Sequence, residues 1–412
     1  MREILKSIVC GALLASAAPL AAITINVPAD KPTIQAGIDF AVAGDIVQVA
    51  AGTYNERIDF KGKAITVRSA AGPATTFIDG QQLGPVVHFH TGEGQGTILR
   101  GFTIRNGKAS SNTATQDGGG IRISSASPRI INNVISNNFA CSGGGGISVV
   151  QGNPLISGNT ISGNSQSGCS GGTGGGGIGV VGGTSAQITN NTIQSNTWSS
   201  AGGGGISLNG AGSATLSTNT ISGNSSAEGG GIDIVNASNM LLQQNRITGN
   251  TAATGAGIYW LVPSGSRGPR LVNNTIAENN ATSQGSGIYA DGFDIQVQLV
   301  NNVIVAKSGQ TAVYCGNFND LNPPSFNRND VYAPAGTAYG GICVNQTGFN
   351  GNISANPLFA AGTYYLQAGS PCIDKGDGMT ADIPATDFGG GVRIRDGNGD
   401  GSIIIDMGID EF

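Results

Sequence analysis

Apolar and polar positions alternate in a short run that returns throughout the chain. Each run has the form Gly-Ile-x-apolar, and its two apolar positions are, in order, Ile121/Ile123, Ile147/Val149, Ile178/Val180, Ile206/Leu208, Ile232/Ile234, Ile258/Trp260 and Ile288/Ala290. Such alternation, rich in β-branched side chains and bounded by glycine and asparagine, predicts short β-strands. No leucine-rich helical half accompanies the runs, so the repeat unit is β throughout.

A second repeated element, Asn-x-apolar, accompanies these runs. It occurs at Asn133, Asn159, Asn191, Asn219, Asn245, Asn274, Asn302 and Asn329, with a mean period of 28 residues. This period is too short for a βαβ unit and leaves a coil of two or three strands. We therefore predict stacked coils whose equivalent strands pair in parallel, with the apolar residues pointing inward. The asparagines are expected at one tight turn, in left-handed backbone conformation, bonded to their neighbours above and below.

The repeats resemble those of known proteins. Asn159-Thr-Ile-Ser-Gly-Asn, Asn219-Thr-Ile-Ser-Gly-Asn and Gly-Gly-Gly-Ile-Asp233-Ile look like coils of right-handed parallel β-helix proteins of the pectate-lyase-like superfamily. The segment that begins at Thr33 is similar to the N-terminal part of such proteins, and the ending from Gly369 to Glu411 is similar to the C-terminal cap of their uncharacterised exported branch. The resemblance implies an all-β, right-handed parallel β-helix (solenoid) with a short N-terminal capping helix, about 32–43, and an acidic C-terminal cap.

Three parts are predicted along the chain. Residues 1–22 form a signal peptide, because Arg2 and Lys6 precede a short apolar stretch from Ser7 to Ala18 and cleavage is expected near Ala22. Residues 23–355 form the parallel β-helix, with its N-terminal cap at about 23–45 and regular coils at about 85–335, and residues 356–412 form the C-terminal cap. The protein is therefore expected to be secreted, periplasmic or at the cell surface.

Charge and hydropathy limit the partners. Without its signal peptide the chain carries 18 Lys and Arg against 24 Asp and Glu, and nucleic-acid binding needs the opposite balance. No later apolar run reaches the length of a membrane span. We expect a monomer with no organic cofactor, no nucleic-acid partner and no membrane span.

Five cysteines remain in the mature chain, and two pairs of them are separated by one repeat. Cys141 and Cys169 are 28 residues apart, as are Cys315 and Cys343. Residues one period apart lie on adjacent coils, within reach of a disulfide, and an exported protein can keep such bonds. We predict both disulfides, with free buried thiols as the alternative, and a buried Cys372 left over in the cap.

Ionisable residues are absent from the middle of the chain. From Ile130 to Ala227 there is no Asp, Glu, Lys, Arg or His, so acid–base, metal-assisted and carboxylate-paired chemistry have no groups to use there. Nearer the N-terminus, His88 and Arg122 fall at equivalent positions of two coils. They are weak catalytic candidates, forming an anion or uronate subsite with a proton carrier. The plainer interpretation is two surface residues on one sheet.

The resemblance itself implies no activity. Pectate lyases, polygalacturonases, pectin methylesterases and alginate epimerases each depend on a cluster of acidic residues on one sheet. The outward stripe that runs from His88 to Tyr289 contains one aspartate, Asp233, and none of those clusters.

The same stripe ends in residues suited to sugars. Asp233, Tyr259 and Tyr289 fall at equivalent positions of successive coils, and aromatic rings with a polar handle suit the apolar faces of sugar rings. Ordinary exposed tyrosines covering a sheet are the alternative. Tyr314 lies one coil further on, but the pairing of Cys315 with Cys343 is expected to turn Tyr314 inward and exclude it.

The acidic cap contains a partial calcium-loop pattern. Asp396, Asn398 and Asp400 alternate with glycine, and Gly401 takes the sixth position, as in EF-hand loops. An EF-hand loop has an acidic residue at its twelfth position. Here that position is Met407, and Asp406 lies one place before it. We predict a structural calcium held by Asp396, Asn398, Asp400 and Asp406, with a solvated acidic turn as the alternative.

Two functions stay open on the sequence alone. The first is an exported, non-catalytic β-helix that binds polysaccharide or a cell-surface glycan along its outer sheets. The second is a polysaccharide lyase or glycoside hydrolase with a site near His88 and Arg122 or near Asp233 and Tyr259. The long segment without charges and the missing family motifs favour binding.

Overall fold

The computed structural model describes residues 21–110, 117–166, 169, 173–210, 212–237, 239–262, 268–292, 297–318 and 323–412. All but the last two residues of the predicted signal peptide lie outside these ranges. Within them, the chain winds into a coil with three strands a turn, and each strand pairs in parallel with its equivalent one turn away. The prediction of an all-β parallel β-helix is confirmed.

The strands form three long sheets. Sheet I has 12 strands: Thr24–Val27, Ile46–Val49, Thr66–Ser69, Ile98–Arg100, Arg129–Ile131, Leu155–Ser157, Gln187–Thr189, Thr215–Ser217, Leu241–Gln243, Arg270–Val272, Gln298–Val300 and Ser325–Asn327. Sheet II has 11 strands: Gly52–Tyr54, Thr76–Asp79, Thr103–Arg105, Val134–Ser136, Thr160–Ser162, Thr192–Gln194, Thr220–Ser222, Arg246–Thr248, Thr275–Ala277, Val303–Val305 and Asp330–Tyr332. Sheet III has 11 strands: Ile58–Asp59, Val87–Phe89, Ile121–Ser124, Ile147–Val150, Ile178–Val181, Ile206–Asn209, Ile232–Val235, Ile258–Leu261, Ile288–Asp291, Thr311–Cys315 and Thr337–Gly341.

Shorter strands pair in the loops that lead from sheet II to sheet III. They are Lys108–Ala109 with Phe139–Ala140, Gly143–Gly144 with Gly174–Gly175, and Thr251–Thr254 with Asn280–Gln284. These loops are rich in glycine, and they run across the outer side of sheet III.

The core is a column of aliphatic side chains inside the coil. In sheet III, Ile121, Ile147 and Ile178 pair in register on successive coils, and all three are fully buried. Because neighbouring strands lie about 4.8 Å apart, each layer packs directly onto the same position of the next. This stacking explains why isoleucine and valine recur at the inward-pointing positions of the strands.

The only α-helix in the described residues, Ile34–Phe40, packs against the first strands of sheets I and III. Thr33 Oγ1 caps it by accepting a hydrogen bond from the Ala36 N–H at 3.0 Å. Ile34 and Ile38 point into the core. The predicted capping helix is confirmed, although it ends earlier because Ala41 is already extended, with ψ of 147°. No helix in the described residues has the length and hydropathy needed to cross a bilayer.

Buried asparagines join successive coils at the turn between sheets I and II. The backbone N–H and side-chain amide of Asn159 both donate to Asn191 Oδ1, at 2.9 and 3.0 Å, and the pattern repeats along the predicted series. The predicted bonding between coils is therefore confirmed. The predicted left-handed conformation is wrong, since the residue before the ladder asparagine takes it, as Asn190 does with φ of 58°. The ladder asparagine does not take this conformation, because its own backbone N–H donates to the asparagine of the next coil.

A second asparagine ladder lies at the turn after sheet II. Its buried members are Asn138, Asn164, Asn196, Asn224, Asn250 and Asn279. Asn164 Nδ2 donates to Asn196 Oδ1 at 3.0 Å, as in the first ladder. The repeat Asn159-Thr-Ile-Ser-Gly-Asn164 carries one member of each ladder, so the sequence contained this signal although our sequence analysis did not use it.

Both predicted disulfides are present. Cys141–Cys169 and Cys315–Cys343 are bonded, with Cα–Cα distances of 5.4 and 5.3 Å. Cys372 is free and buried, as predicted, and its thiol lies 3.3 Å from Asp330 Oδ2.

The C-terminal segment folds back along the side of the coil. The Gly408 N–H donates to the Asn301 carbonyl at 2.7 Å, Asn273 Nδ2 donates to the Asp406 carbonyl at 3.1 Å, and Asp382 forms an ion pair with Arg270. These partners lie on coils well before the last strand. The segment predicted as a cap therefore also covers one flank of the β-helix.

Candidate functional site

The outward stripe predicted on sheet III is a continuous register row. Its members are His88, Arg122, Ser148, Gly179, Ser207, Asp233, Tyr259, Tyr289 and Tyr314. The side chains of this row share one face because strand residues two apart point the same way and parallel strands keep their register.

Tyr314 belongs to the row, and our exclusion of it was wrong. Its ring stacks on Tyr289 with centroids 5.6 Å apart, and Tyr289 stacks on Tyr259 at 5.2 Å, both pairs within 9° of parallel. The error came from placing the Cys315–Cys343 disulfide outside the coil. Both sulfurs lie on the core side, which leaves Tyr314 outward by alternation.

Burial differs sharply along this row. Asp233 is 3% exposed and Tyr259 is 8% exposed, whereas Tyr289 and Tyr314 are half-buried. Glycine-rich loops pack on this row. A Cβ on Gly229 would lie 2.7 Å from Asp233 Cβ, and one on Gly255 would lie 2.7 Å from Tyr259 Cβ. The loop backbone thus covers these two side chains, while Tyr289 and Tyr314 keep part of their surface exposed.

The faces of the stacked tyrosine rings are in contact with one another. The far face of Tyr314 is taken as well, since a Cβ on Gly340 would lie 3.1 Å from Tyr314 Cδ2. The tyrosines therefore present ring edges and hydroxyls to a ligand, and not the flat faces expected from the sequence.

Phe318 is an exposed aromatic residue whose backbone is bonded to the strand that carries Tyr289. It is 84% exposed, and its backbone N–H donates to Asp291 Oδ1 at 3.1 Å. Asp291 is buried and lies two residues after Tyr289 on the same strand. Burial, followed by the charge of Asp291 and a hydrogen bond to it, raises the pKa of Tyr289. Asp291 therefore fixes the backbone of Phe318 near the end of the strand that carries Tyr289, and the alternation Tyr289-Ala-Asp291 already placed Asp291 on the face of that tyrosine.

Asp233 is a buried carboxyl whose pKa is strongly raised. Its pKa is about 7, and burial is the main cause of the increase. A hydrogen bond from Ser207 lowers the pKa, and the charge of Glu228 raises it. Ser207 Oγ donates to Asp233 Oδ2 at 3.1 Å, while Oδ1 has no partner in the described residues. At 3% exposure Asp233 has little side-chain surface open to a polymer, and its binding of a ligand stays a prediction.

His88 and Arg122 are register neighbours, as expected, and each has an acidic residue nearby. Arg122 Nε lies 3.2 Å from Asp117 Oδ1, and His88 pairs in register with Asp59. Burial, and then the charges of Arg122 and His90, lower the pKa of His88 to about 4. Arg122 is thus paired with Asp117, whereas the Asp59 carboxylate bonds His90, with Asp59 Oδ2 3.1 Å from His90 Nε2.

The predicted calcium ligands are only partly brought together. Asp396, Asn398 and Asp400 share one turn, in which Asp396 Oδ1 accepts the Gly399 N–H at 2.7 Å. Asp406 faces elsewhere, since its carboxylate accepts the N–H groups of Asp374 and Phe412 at 2.7 and 2.8 Å. The described residues contain no group of three His, Cys, Asp or Glu arranged around one point. Calcium binding stays a prediction.

Family comparisons agree with this geometry. Residues 172–356 match the family model described as "Right handed beta helix region". The chain is a right-handed parallel β-helix protein. Residues 61–203 of this β-helix also match a family described as "Protein of unknown function (DUF1565)". The right-handed parallel β-helix that the resemblance implied is thus confirmed.

Solved structures similar to this β-helix protein are distant. The complex of XylC with xylose is 12% identical with a TM-score of 0.43, covering 80% of this chain and 84% of that one. The PL6 family alginate lyase AlyGC is 16% identical with a TM-score of 0.38, covering 82% of this chain and 53% of that one. The A-module of mannuronan C-5 epimerase AlgE4 from Azotobacter vinelandii is 17% identical with a TM-score of 0.43, covering 78% and 95%. No curated protein matches the chain. Similarity at this level does not extend to activity.

Proposed function

We propose that this β-helix protein binds polysaccharide without catalysis, at the open end of the tyrosine stack on sheet III. The observation that carries the proposal is the position of Phe318. Its ring is exposed, and its backbone N–H is bonded to Asp291, which lies two residues after the half-buried Tyr289 on the same strand. An apolar ring face and phenolic hydroxyls in one region of the surface are the combination that suits a sugar, which has apolar faces and polar edges.

The two kinds of aromatic residue have different parts in this proposal. Phe318 offers the ring face on which a sugar can stack, since its side chain is open to solvent. Tyr289 and Tyr314 offer hydroxyl groups, because their ring faces are already used in the stack. Asp233 and Tyr259, proposed from the sequence as ligand residues, support the stack from beneath the loops.

Electrophoresis in gels that contain xylan or polygalacturonate tests the proposal. We expect at least one polymer to retard the protein, and we expect Phe318→Ala and Tyr314→Ala each to weaken that binding about tenfold, equivalent to about 1.4 kcal/mol. Phe349→Ala is the matched control, since Phe349 is also an exposed phenylalanine, at 65%, on another loop. Absence of retardation by both polymers, or equal retardation of all variants, would contradict the proposal.

His88 favours a second candidate function, β-elimination on an acidic polysaccharide. A lowered pKa keeps its imidazole neutral near pH 7, and a neutral imidazole can accept a proton. Arg122, next in register, would face the carboxylate of a uronate. The absorbance of unsaturated products from polygalacturonate tests this candidate: His88→Ala is expected to lose it and His90→Ala to keep it. A wild-type protein that releases no such product has no lyase activity on this substrate.

A further inference from the structure

Sheet I carries arginines and no acidic residue. In the strands that the structure describes, its arginines are Arg68, Arg100, Arg129 and Arg270, and no strand of the sheet contains Asp or Glu. The first three lie on consecutive strands of the sheet. Charged residues make up only 11% of the whole chain, so three arginines together are a local concentration of charge.

Arg68 and Arg100 lie directly opposite each other. They are register partners on adjacent strands, so their backbones lie about 4.8 Å apart. Like charges directly opposite on one face destabilise a sheet. Neither arginine takes part in an ion pair within the described residues.

The fourth arginine of the sheet shows how such a charge is balanced elsewhere. Arg270 forms an ion pair with Asp382, which belongs to the C-terminal segment folded back along this flank. That segment brings a carboxylate onto sheet I from outside the coil. Arg68 and Arg100 lie on earlier coils and have no equivalent partner in the described part of the chain.

A groove of about 480 Å³ lies over the two arginines. It is lined by Arg68 and Arg100 together with Gly72, Gly101 and Asn132. Gln48 Oε1 accepts hydrogen bonds from Arg68 Nε and Nη2 at 3.1 and 2.7 Å. This contact holds the Arg68 guanidinium on one side, while Arg100 is exposed.

We infer that this groove is an anion-binding site for the carboxylate or sulfate groups of an acidic polysaccharide. Arginine guanidinium groups bind such oxyanions through paired hydrogen bonds. A bound oxyanion takes the place that Asp382 takes at Arg270, and it relieves the repulsion between Arg68 and Arg100. The net charge of the chain is −5, so general attraction of a polyanion does not explain such binding. The site lies on a different sheet from the tyrosine stack and does not depend on the function proposed there.

Titration with polygalacturonate, dextran sulfate and inorganic sulfate tests the inference. We expect at least one of the two polymers to bind with an affinity that falls as salt is added, because the contact is between exposed charges. Arg68→Gln and Arg100→Gln are each expected to lower that affinity about tenfold, or about 1.4 kcal/mol. Arg68→Lys with Arg100→Lys is expected to bind with intermediate affinity, because lysine keeps the charge and loses the paired geometry. If the arginine variants bind polygalacturonate more weakly than the wild type, the ligand group is a carboxylate. If they bind only dextran sulfate more weakly, the ligand group is a sulfate ester. Both results support the site.

Arg270→Gln is the matched control, because it removes the same charge from the same sheet at a residue that already has a partner. It should bind like the wild type. Equal loss in Arg270→Gln and in the groove variants would show a general charge effect and overturn the inference. Binding of inorganic sulfate alone, absence of binding to either polymer, or unchanged binding by folded Arg68→Gln/Arg100→Gln protein would also overturn it. Thermal melting of each variant confirms that it is folded.

Discussion

Asn159 and Asn191 lie one coil apart, and the Asn159 side-chain amide donates to Asn191 Oδ1 at 3.0 Å. The Asn191 amide in turn donates to Asn219 Oδ1 at 3.0 Å and to the Ile156 carbonyl at 2.9 Å. Each ladder asparagine thus satisfies buried groups on both sides of it. The ladder makes the stability of one coil depend on its neighbours.

Replacing Asn191 with alanine should destabilise the β-helix strongly. The backbone N–H and amide of Asn159 lose their acceptor and the Ile156 carbonyl loses a donor, all in a buried turn. At about 1–3 kcal/mol for each unsatisfied buried group, we expect the free energy of unfolding to fall by about 3–5 kcal/mol. Chemical denaturation measures the change. Asn190→Gly is the control: Asn190 is exposed and already has φ of 58°, so its effect should stay within about 0.5 kcal/mol.

Replacing Asp233 with asparagine should stabilise the protein at alkaline pH. The folded-state pKa of Asp233 is about 7, against 3.8 for the free side chain. A raised folded-state pKa gives stability that is complete below pH 3.8 and is lost as the pH rises through 7. Asparagine does not ionise, so Asp233→Asn should melt higher than the wild type at pH 8, and the difference should vanish near pH 4. A melting-temperature difference that does not change between pH 4 and pH 8 would contradict the assignment.

Reduction of the two disulfides should lower the stability of the fold. Each closes a loop of 28 residues, and cross-links of that length contribute about 3 kcal/mol each. In protein that begins at Ile23, a thiol reagent should find no reactive cysteine in the folded state and one, Cys372, after unfolding without reductant. Two or more reactive thiols in the unfolded, unreduced protein would show that a predicted bond does not form.

Calcium is predicted to raise the melting temperature through the turn at Asp396, Asn398 and Asp400. Oxygen ligands at alternate positions favour this cation. Thermal melting in calcium and then in excess chelator measures the effect, which Asp396→Asn with Asp400→Asn should remove. Asp30→Asn, an exposed change near the N-terminus, should keep it. An identical melting temperature in calcium and in chelator would exclude a structural metal.

The sequence by itself determined the coil, the parallel register and both disulfides. Each depends on repetition: residues one period apart must lie one above the other once the coils stack. Repetition also places Asp233, Tyr259 and Tyr289 in one row, because alternation along a strand decides which face a side chain takes. Tyr314 belongs to the same row because the Cys315–Cys343 disulfide lies on the core side of the strand.

The tertiary structure decided how accessible each of these residues is. Alternation gives Asp233 and Tyr289 the same face, yet the loop backbone at Gly229 covers Asp233 and leaves Tyr289 half-buried. The partners of Arg270 and Arg68 differ because the C-terminal segment reaches only one of them. Accessibility and charge pairing depend on segments far apart in the chain, and a repeat of 28 residues carries no information about where those segments cross.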